Sequence, residues 1–556
     1  MKNAIILAAG KSNRFAPFTY EKPKGLFRVK GEILIERQIE QLREAGIKEI
    51  YVVVGYMKEK FFYLERKYPG LHLVINNEFG KKGNLYSIYT AREYLADTYI
   101  CCADHYFRFN PFLNDNPDNI SYRACVYYGD KFREFGIAAS DAGVVTDCHI
   151  GGEKSLAMVG HAYMNSKFSS IFCSLMETEI NDFGVAQMFW EEFYARHIKD
   201  LTFFVKEFQT DEILEFDSIE DLRAFDSEFL LNVASEIITN ITDTLNCHPN
   251  EITDIKVINA GLTNVSFGFD VKGNRYVYRH PGGTAGNLID RQAEMYAQMM
   301  AREIGIDKSV IKMVLGGWKL SYFVHNCHNC DYEKDDPEFP LNADEQLKIS
   351  MEYLHRLHSI QIDSESIVSF AKEYNLGDDF SVKTFDDVEE GKKLMRIASA
   401  TKGNLVVEFA DMIEKVERLY EAVKKDAERL GDKKVLCHND TYAPNYLIDD
   451  HGEIFLIDWE YAGINYGAND ISCILCRYDW TDEQVERYLR AYVGHELTAD
   501  ERRYYYAFIP ICGFYWFGWG LYKGSVGDDD GFFFTPAYRN FWRYIDRALE
   551  SYGLEV

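Results

Sequence analysis

The sequence predicts an α/β protein of two domains, on three observations. Residues 1 to about 150 alternate short apolar runs with amphipathic helical patterns. From about residue 253 the pattern changes to the apolar–polar alternation of an antiparallel hairpin, and long helical stretches follow. The chain is also 556 residues long, more than one hydrophobic core normally holds. The first domain, residues 1–228, is expected to be Rossmann-like with a mixed, mainly parallel sheet covered on both faces. The second, residues 229–556, is expected to be α+β, with the boundary near Ser227 to Val233.

In chain order, AIILAAG, IYVVVG, LHLVIN and TYICCAD read as buried strands. Between them IERQIEQLREAG and NLYSIYTAREYL space their apolar residues by three and four, as helices packed on a sheet do. Ligands of such sheets sit outside the carboxyl ends of the strands. SEFLLNVASEIITNITDTL, Ser227 to Leu245, predicts one helix at the domain boundary. A hairpin follows, turning at Lys272-Gly273-Asn274. Two further strands, KVLCHND and IFLIDWE, interrupt the helical remainder. Tyr504 to Tyr522 carries no charge, but Pro510, three glycines and many tyrosines mark it as a buried aromatic helix rather than a membrane span.

The formal charge of −27 argues against a nucleic-acid partner, which would need clustered lysine and arginine. Twelve cysteines scattered without a framework fit reduced thiols and a cytoplasmic location. The cluster His325-Asn326-Cys327-His328-Asn329-Cys330 has no second CxxC at zinc-site spacing. The strand pattern beginning at Asn3 leaves no room for a signal peptide, and no membrane insertion is expected.

The first strand runs into LAAGKSNRFAPFTYEKPKGL. A glycine after a strand lets backbone N–H groups point at phosphates, and Arg14 and Lys24 supply charge to neutralise them. Two glycines of a dinucleotide fingerprint are missing, and no GKS or GKT closes a Walker loop. The string resembles the start of the nucleotidyltransferases that join a nucleoside triphosphate to a sugar phosphate or phosphocholine, departing from their pattern at Ser12, where glycine is usual. The resemblance is most specific to bacterial phosphocholine cytidylyltransferases and covers residues 1 to about 228. It implies that Leu7, Ala8 and Gly10 line the nucleotide and that Arg14 and Lys24 act on the triphosphate. Asn84 and Ser87, in KKGNLYSIYTA, would lie near the pyrimidine and the substrate. Asp104 after TYICCAD, and Asp217 in LEFDSIEDL, would hold Mg2+. The reaction implied is in-line attack of a phosphate oxygen on the α-phosphorus of CTP, expelling pyrophosphate. A phosphomonoester is already largely dianionic at neutral pH, so it needs no general base. Tyr106, Tyr128 and Trp190 are candidates for the choline head, chosen for residue type and position.

The strongest motif is VLCHNDTYAPNYLIDDHGEIFLIDWEYAG. Asp440, Asn445 five residues on, and Asp458 after a second strand reproduce the base, metal-binding amide and metal-binding carboxylate of kinases. The HND form, with Trp459 and Glu460 after Asp458, resembles choline, ethanolamine and aminoglycoside kinases, a protein-kinase-like fold, over residues 235 to 556. NAGLTNVSFGFDV looks like their nucleotide loop, with Thr263 and Asn264. Arg279 stands where protein kinases place the phosphate-binding lysine, and Glu294 is its natural ion-pair partner. EYLHRLHSIQI matches their LxxLHS element. A second Mg2+ site, at Asn445 and Asp458, is implied.

A quaternary ammonium makes no hydrogen bonds and is best held by aromatic faces and a nearby carboxylate. Trp516, Trp519, Tyr466 and Glu460 are the candidates. Together the resemblances imply a fused enzyme that makes phosphocholine from choline and ATP and couples it to CTP, releasing CDP-choline. The alternative is an ethanolamine or amino-sugar kinase fused to a sugar-phosphate nucleotidyltransferase. The sequence leaves the oligomeric state open.

Overall fold

The computed structural model of the chain describes all residues except 1, 114–121, 210, 259–263, 283–288, 338 and 528–530. It divides into two compact units, Met1–Val257 and Ile258–Val556.

The first unit is built on seven strands, β1 (Asn3–Ala8), β2 (Ile50–Val54), β3 (Leu71–Ile75), β4 (Thr98–Cys102), β5 (Tyr122–Ala139), β6 (Val145–Met164) and β7 (Phe204–Glu207), in the order β7-β5-β6-β4-β1-β2-β3. β1 pairs parallel with β2 and β4, and β2 with β3. The sheet turns mixed at β6, which is antiparallel to β4 and β5. Side chains alternate across β1: Ile5 joins Val53 and Ile100 in one core, while Ala4 and Ile6 join Val52, Val54 and Cys101 in the other. Both faces are therefore covered. Helix α1 (Leu34–Glu44) packs Ile35, Ile39 and Leu42 on the second face, and α2 (Asn84–Thr90) packs Leu85 and Ile88 on the first.

The expected boundary helix is two helices, Phe229–Asn232 and Glu236–Leu245. Ala234 between them takes a left-handed conformation, φ 52°, and the Ser235 side chain caps the second helix by accepting the Ile238 N–H. The hydrophobic spacing runs through the break, which is why the sequence reads as continuous.

Strand β8 (Thr253–Ile258) runs across the boundary into the second unit and forms a sheet with β9 (Asn264–Val271), β10 (Asn274–Pro281), β11 (Val310–Met313) and β12 (Lys319–Tyr322), in the order β8-β9-β10-β12-β11. The hairpin β9–β10 closes through Lys272 and Gly273, with φ 51° and 83°, the paired positive angles of a type I′ turn. The two motif strands do not pair with each other. Lys434–Cys437 pairs with Gly463–Tyr466, and Ile454–Leu456 pairs with Tyr446–Ile448. The aromatic stretch lies in one helix, α3 (Ala499–Ser525), continuous through Pro510 and buried along nearly its whole apolar run. Among the described residues no helix is long and apolar enough to cross a membrane.

Candidate active sites

In the first unit a cleft of about 250 Å³ lies at the carboxyl ends of β1 and β4, where a parallel sheet is expected to bind its ligand. Leu7, Ala8, Gly10 and Lys24 line it. Asn84 and Ser87, at the start of α2, and Asp104, just past β4, line it as well. Ser12 takes the left-handed conformation, φ 49°, so the position where the related pattern has glycine does require positive φ. Lys24 is buried; its ammonium lies 2.8 Å from the Asp104 carboxylate and donates to the Phe216 carbonyl at 2.6 Å. Burial pushes the Asp104 carboxyl up, but the Lys24 and His105 charges outweigh it and hold the group below the usual carboxylate range.

Asn84 accepts the Trp190 backbone N–H at 2.8 Å, and Ser87 accepts from Asn76 at 3.0 Å. Gly83 permits this seat: a Cβ there would stand 2.2 Å from the Met188 carbonyl oxygen. Glu191, missed in the sequence, is buried behind Asn84, to which it is hydrogen-bonded. Desolvation raises its pKa to about 8. Glu215, also missed, lines the cleft.

Several sequence candidates lie elsewhere. Arg14 and Asp217 are exposed and pair with each other at 2.7 Å, outside the cleft lining. Trp190 is fully buried in the core, edge-on to Phe203, rather than open to a ligand. Tyr106 packs edge-on to Phe225, with the Arg37 guanidinium over its ring. The Tyr128 side chain lies outside the described residues; its backbone pairs with Leu156 in the β5–β6 ladder.

In the second unit the HND loop is fixed by one buried carboxylate that the sequence did not single out. Asp470 accepts the backbone N–H groups of His438 at 2.9 Å and of Asn439 at 2.6 Å, and its other neighbour is His358 Nε2 at 3.0 Å. His358 is the histidine of the LxxLHS element. Asn439 and Asp458 have φ of 61° and 67°, so both motif corners are left-handed. Asn445 donates to the Asp440 carbonyl at 2.8 Å and to its carboxylate at 2.9 Å. The other Asp440 oxygen lies 2.6 Å from Arg477. Burial raises the Asp440 pKa, an effect only partly offset by Arg477 and His438.

Arg279 and Glu294 are paired at 2.5 Å, and Arg291 adds a second contact to Glu294 at 2.6 Å. Asn264 donates to Glu460 at 2.7 Å. Thr263 lies outside the described residues. A small pocket beside them is walled by Phe385, Tyr461, Tyr515 and Trp519, with the carboxylates of Asp290, Glu390 and Glu460 and the ammonium of Lys383, which bonds Glu390. Trp519 donates its Nε1–H to the Tyr461 hydroxyl at 2.8 Å. Glu390 and Trp519 come from helices that touch through glycines: a Cβ on Gly518 would stand 2.9 Å from the Gly391 carbonyl oxygen. Trp516 and Tyr466 are not part of this wall. Arg477 lies over the Trp516 ring, 3.4 Å from its centroid, and Tyr466 packs against Phe508 in the core.

The oxygen donors present suit a hard divalent cation. Asn445 and Asp458 offer an amide and a carboxylate in the kinase loop, and Asp104 with Glu215 offers two carboxylates in the first cleft. Cys102 and His105 gather beside Asp104, but burial holds the Cys102 thiol far above its ordinary pKa, and a neutral thiol is a poor ligand for such an ion. When bound, the ion would neutralise phosphate charge in each site.

These two sites, on two folds, define a fused pair of nucleotide-dependent transferases, a nucleotidyltransferase followed by a kinase. Residues 4–110 match the MobA-like NTP transferase domain, and residues 255–509 match the choline/ethanolamine kinase family. The 2-aminoethylphosphonate cytidylyltransferase of Lancefieldella rimae is 36% identical over 234 residues, covering 41% of this chain and 93% of that one. The choline-phosphate cytidylyltransferase of Streptococcus pneumoniae is 34% identical over 229 residues, 41% of this chain and 98% of that one. Protein LicA of Haemophilus influenzae is 24% identical over 279 residues, covering 49% and 93%. The chain belongs to the cytidylyltransferase family in its N-terminal part and carries a choline/ethanolamine kinase domain in its C-terminal part.

Proposed function

We propose that the C-terminal site phosphorylates choline with ATP and that the N-terminal site couples the phosphocholine to CTP, giving CDP-choline and pyrophosphate. We assign the second step to residues 1–228 and the first to residues 229–556. The observation that carries the reading is the pocket of Trp519, Tyr461, Tyr515 and Phe385 with three carboxylates to one ammonium, a setting for a cationic head. It is supported by the choline-phosphate specificity named for one relative of the N-terminal part.

In the kinase site Asp440 orients the acceptor hydroxyl and takes its proton, and Asn445 fixes that carboxylate. Arg279, held by Glu294, faces ATP phosphates, with Asn264 and Thr263 from the nucleotide loop; Mg2+ would be held by Asn445 and Asp458. In the cytidylyl site the backbone at Leu7, Ala8 and Gly10 cradles CTP, with Asn84 and Ser87 beside it. Lys24 neutralises phosphate charge, and Asp104 and Glu215 are the candidate Mg2+ ligands. With CTP and ATP as cosubstrates, both steps belong in the cytoplasm. A primary-ammonium substrate is the second reading: the kinase family takes in ethanolamine by its description, and a 36% identical relative is named for 2-aminoethylphosphonate.

Product analysis with choline, ATP, CTP and magnesium should give CDP-choline, ADP and pyrophosphate. Asp440→Asn should abolish this from choline and leave it intact from supplied phosphocholine. Retained ADP release in that variant would remove Asp440 from the reaction. Ethanolamine as the better substrate would replace the choline reading.

A further inference from the structure

Arg477 is a buried cation inside the acceptor region of the kinase. It follows the wholly buried helix Gly467–Leu475, and its side chain is 5% exposed. Its guanidinium lies over the Trp516 ring, 3.4 Å from the centroid, and 4.4 Å from that of Tyr442. One of its nitrogens lies 2.6 Å from Asp440. A flat guanidinium on an indole face, desolvated and paired with a carboxylate, is among the stronger cation–π arrangements. The Trp516 face thus already holds a positive charge, one that is paired with Asp440.

The next indole along the helix is differently placed. Trp519 lies 5.7 Å from Trp516, edge to face, and forms the wall of the pocket that contains Glu460 and Glu390. Tyr461 joins the two halves: its ring is 5.5 Å from Trp516, and its hydroxyl accepts from Trp519.

We propose that Arg477 is a specificity-determining residue of the kinase acceptor pocket: it fills the Trp516 face as an internal cation and confines the substrate's ammonium to the half-pocket of Trp519, Tyr461, Tyr515 and the Glu460 and Glu390 carboxylates. This rests on the reading of the second unit as a kinase of an ammonium alcohol. Two like charges on adjoining rings repel in a poorly hydrated site. The arginine therefore lowers affinity for a cation close to Asp440 and leaves a neutral alcohol of the same shape unaffected.

The test compares choline with its neutral isostere 3,3-dimethylbutan-1-ol in the full-length chain. Arg477→Gln should lower KM for choline at least about fivefold, with KM for the isostere and for ATP within twofold of the parent. Arg477→Lys, which keeps the charge, should retain the parental ratio of the two alcohols. An equal shift for both alcohols in Arg477→Gln, or a higher KM for choline alone, overturns the proposal. Calorimetric titration with tetramethylammonium provides a readout that needs neither turnover nor a change at Arg477. Trp519→Phe should weaken binding, and Trp516→Phe should leave it unchanged; the reverse pattern overturns the proposal. A parent that binds tetramethylammonium in this way yet turns over no choline would remove the choline reading and leave the role of Arg477 standing.

Discussion

His358 and Asp470, 112 residues apart in the sequence, meet at 3.0 Å beneath the kinase loop, and the same carboxylate receives the backbone N–H groups of His438 and Asn439. Neither residue is placed to touch a substrate; they set the path of the loop that presents Asp440. Asp470 also draws the loop in through its own carbonyl, which accepts from Thr441. His358→Ala leaves a fully buried carboxylate with its backbone donors alone, so the second unit should lose about 1–3 kcal/mol. Kinase kcat should fall by about tenfold or more as Asp440 loses its fixed position. Thermal unfolding and ADP release measure the two effects, and pyrophosphate release from phosphocholine and CTP should be unchanged.

Lys24→Ala and Asp104→Ala should each stop the cytidylyl step and leave the kinase working. The lysine is buried, bonded to the Phe216 carbonyl and paired with Asp104, so each loss strips a preorganised charge from the cleft. Losses of about 10²–10³ in kcat are typical for such groups. Pyrophosphate release within a few-fold of the parent would place the reaction elsewhere.

The two tryptophans should fail in different ways. Trp519→Ala removes a wall of the pocket and should raise KM for choline by roughly tenfold, with little change for ATP. Trp516→Ala removes the surface on which Arg477 rests, and Arg477 is paired with Asp440, so its effect should fall on kcat. Steady-state kinetics of the two variants separate these outcomes.

Glu191 gives the first unit a pH dependence of known sign. Burial raises its folded pKa to about 8 from 4.5, so between these values the folded state holds a proton that the unfolded state has lost. Its contribution is fully favourable below about pH 4.5 and is lost as pH rises through about 8. Glu191→Gln should flatten the decline in stability across this window, on the order of a few kcal/mol, as followed by denaturant titration at several pH values. An unchanged slope would show that Glu191 ionises as freely in the fold as outside it.

What the sequence makes legible follows from how the chemistry is encoded. LAAG with Lys24, and HNDxxxxN with IDWE, are local strings whose spacing is set by one loop, and the structure gathers Gly10, Lys24 and Asp104 in one cleft and Asn445 against Asp440 in another. The Arg279–Glu294 pair was readable because one strand and the following helix supply both partners. Arg477, Asp470 and Glu191 were missed because their partners are remote in sequence. A weak signal was present: each is a charged residue in or against an apolar run, ISCILCR, NDISCIL and MFWEEF, where a charge needs a buried partner. Trp190, Tyr106 and Tyr466 went the other way. Residue type suggested a ligand face, yet whether an aromatic ring faces a cleft or a core is decided by which element packs on it.

The glycine contact between Gly391 and Gly518 places control of the head-group pocket outside its own lining. Glu390 precedes one glycine and Trp519 follows the other, so the gap between acid and indole is fixed by how closely two backbones approach. A methyl group at either position would wedge the helices apart and enlarge the space while leaving every wall residue intact. Selectivity between a compact primary amine and a bulkier trimethylated one can therefore drift through the girth of a helix crossing, a change invisible to any comparison confined to the residues that touch the ligand.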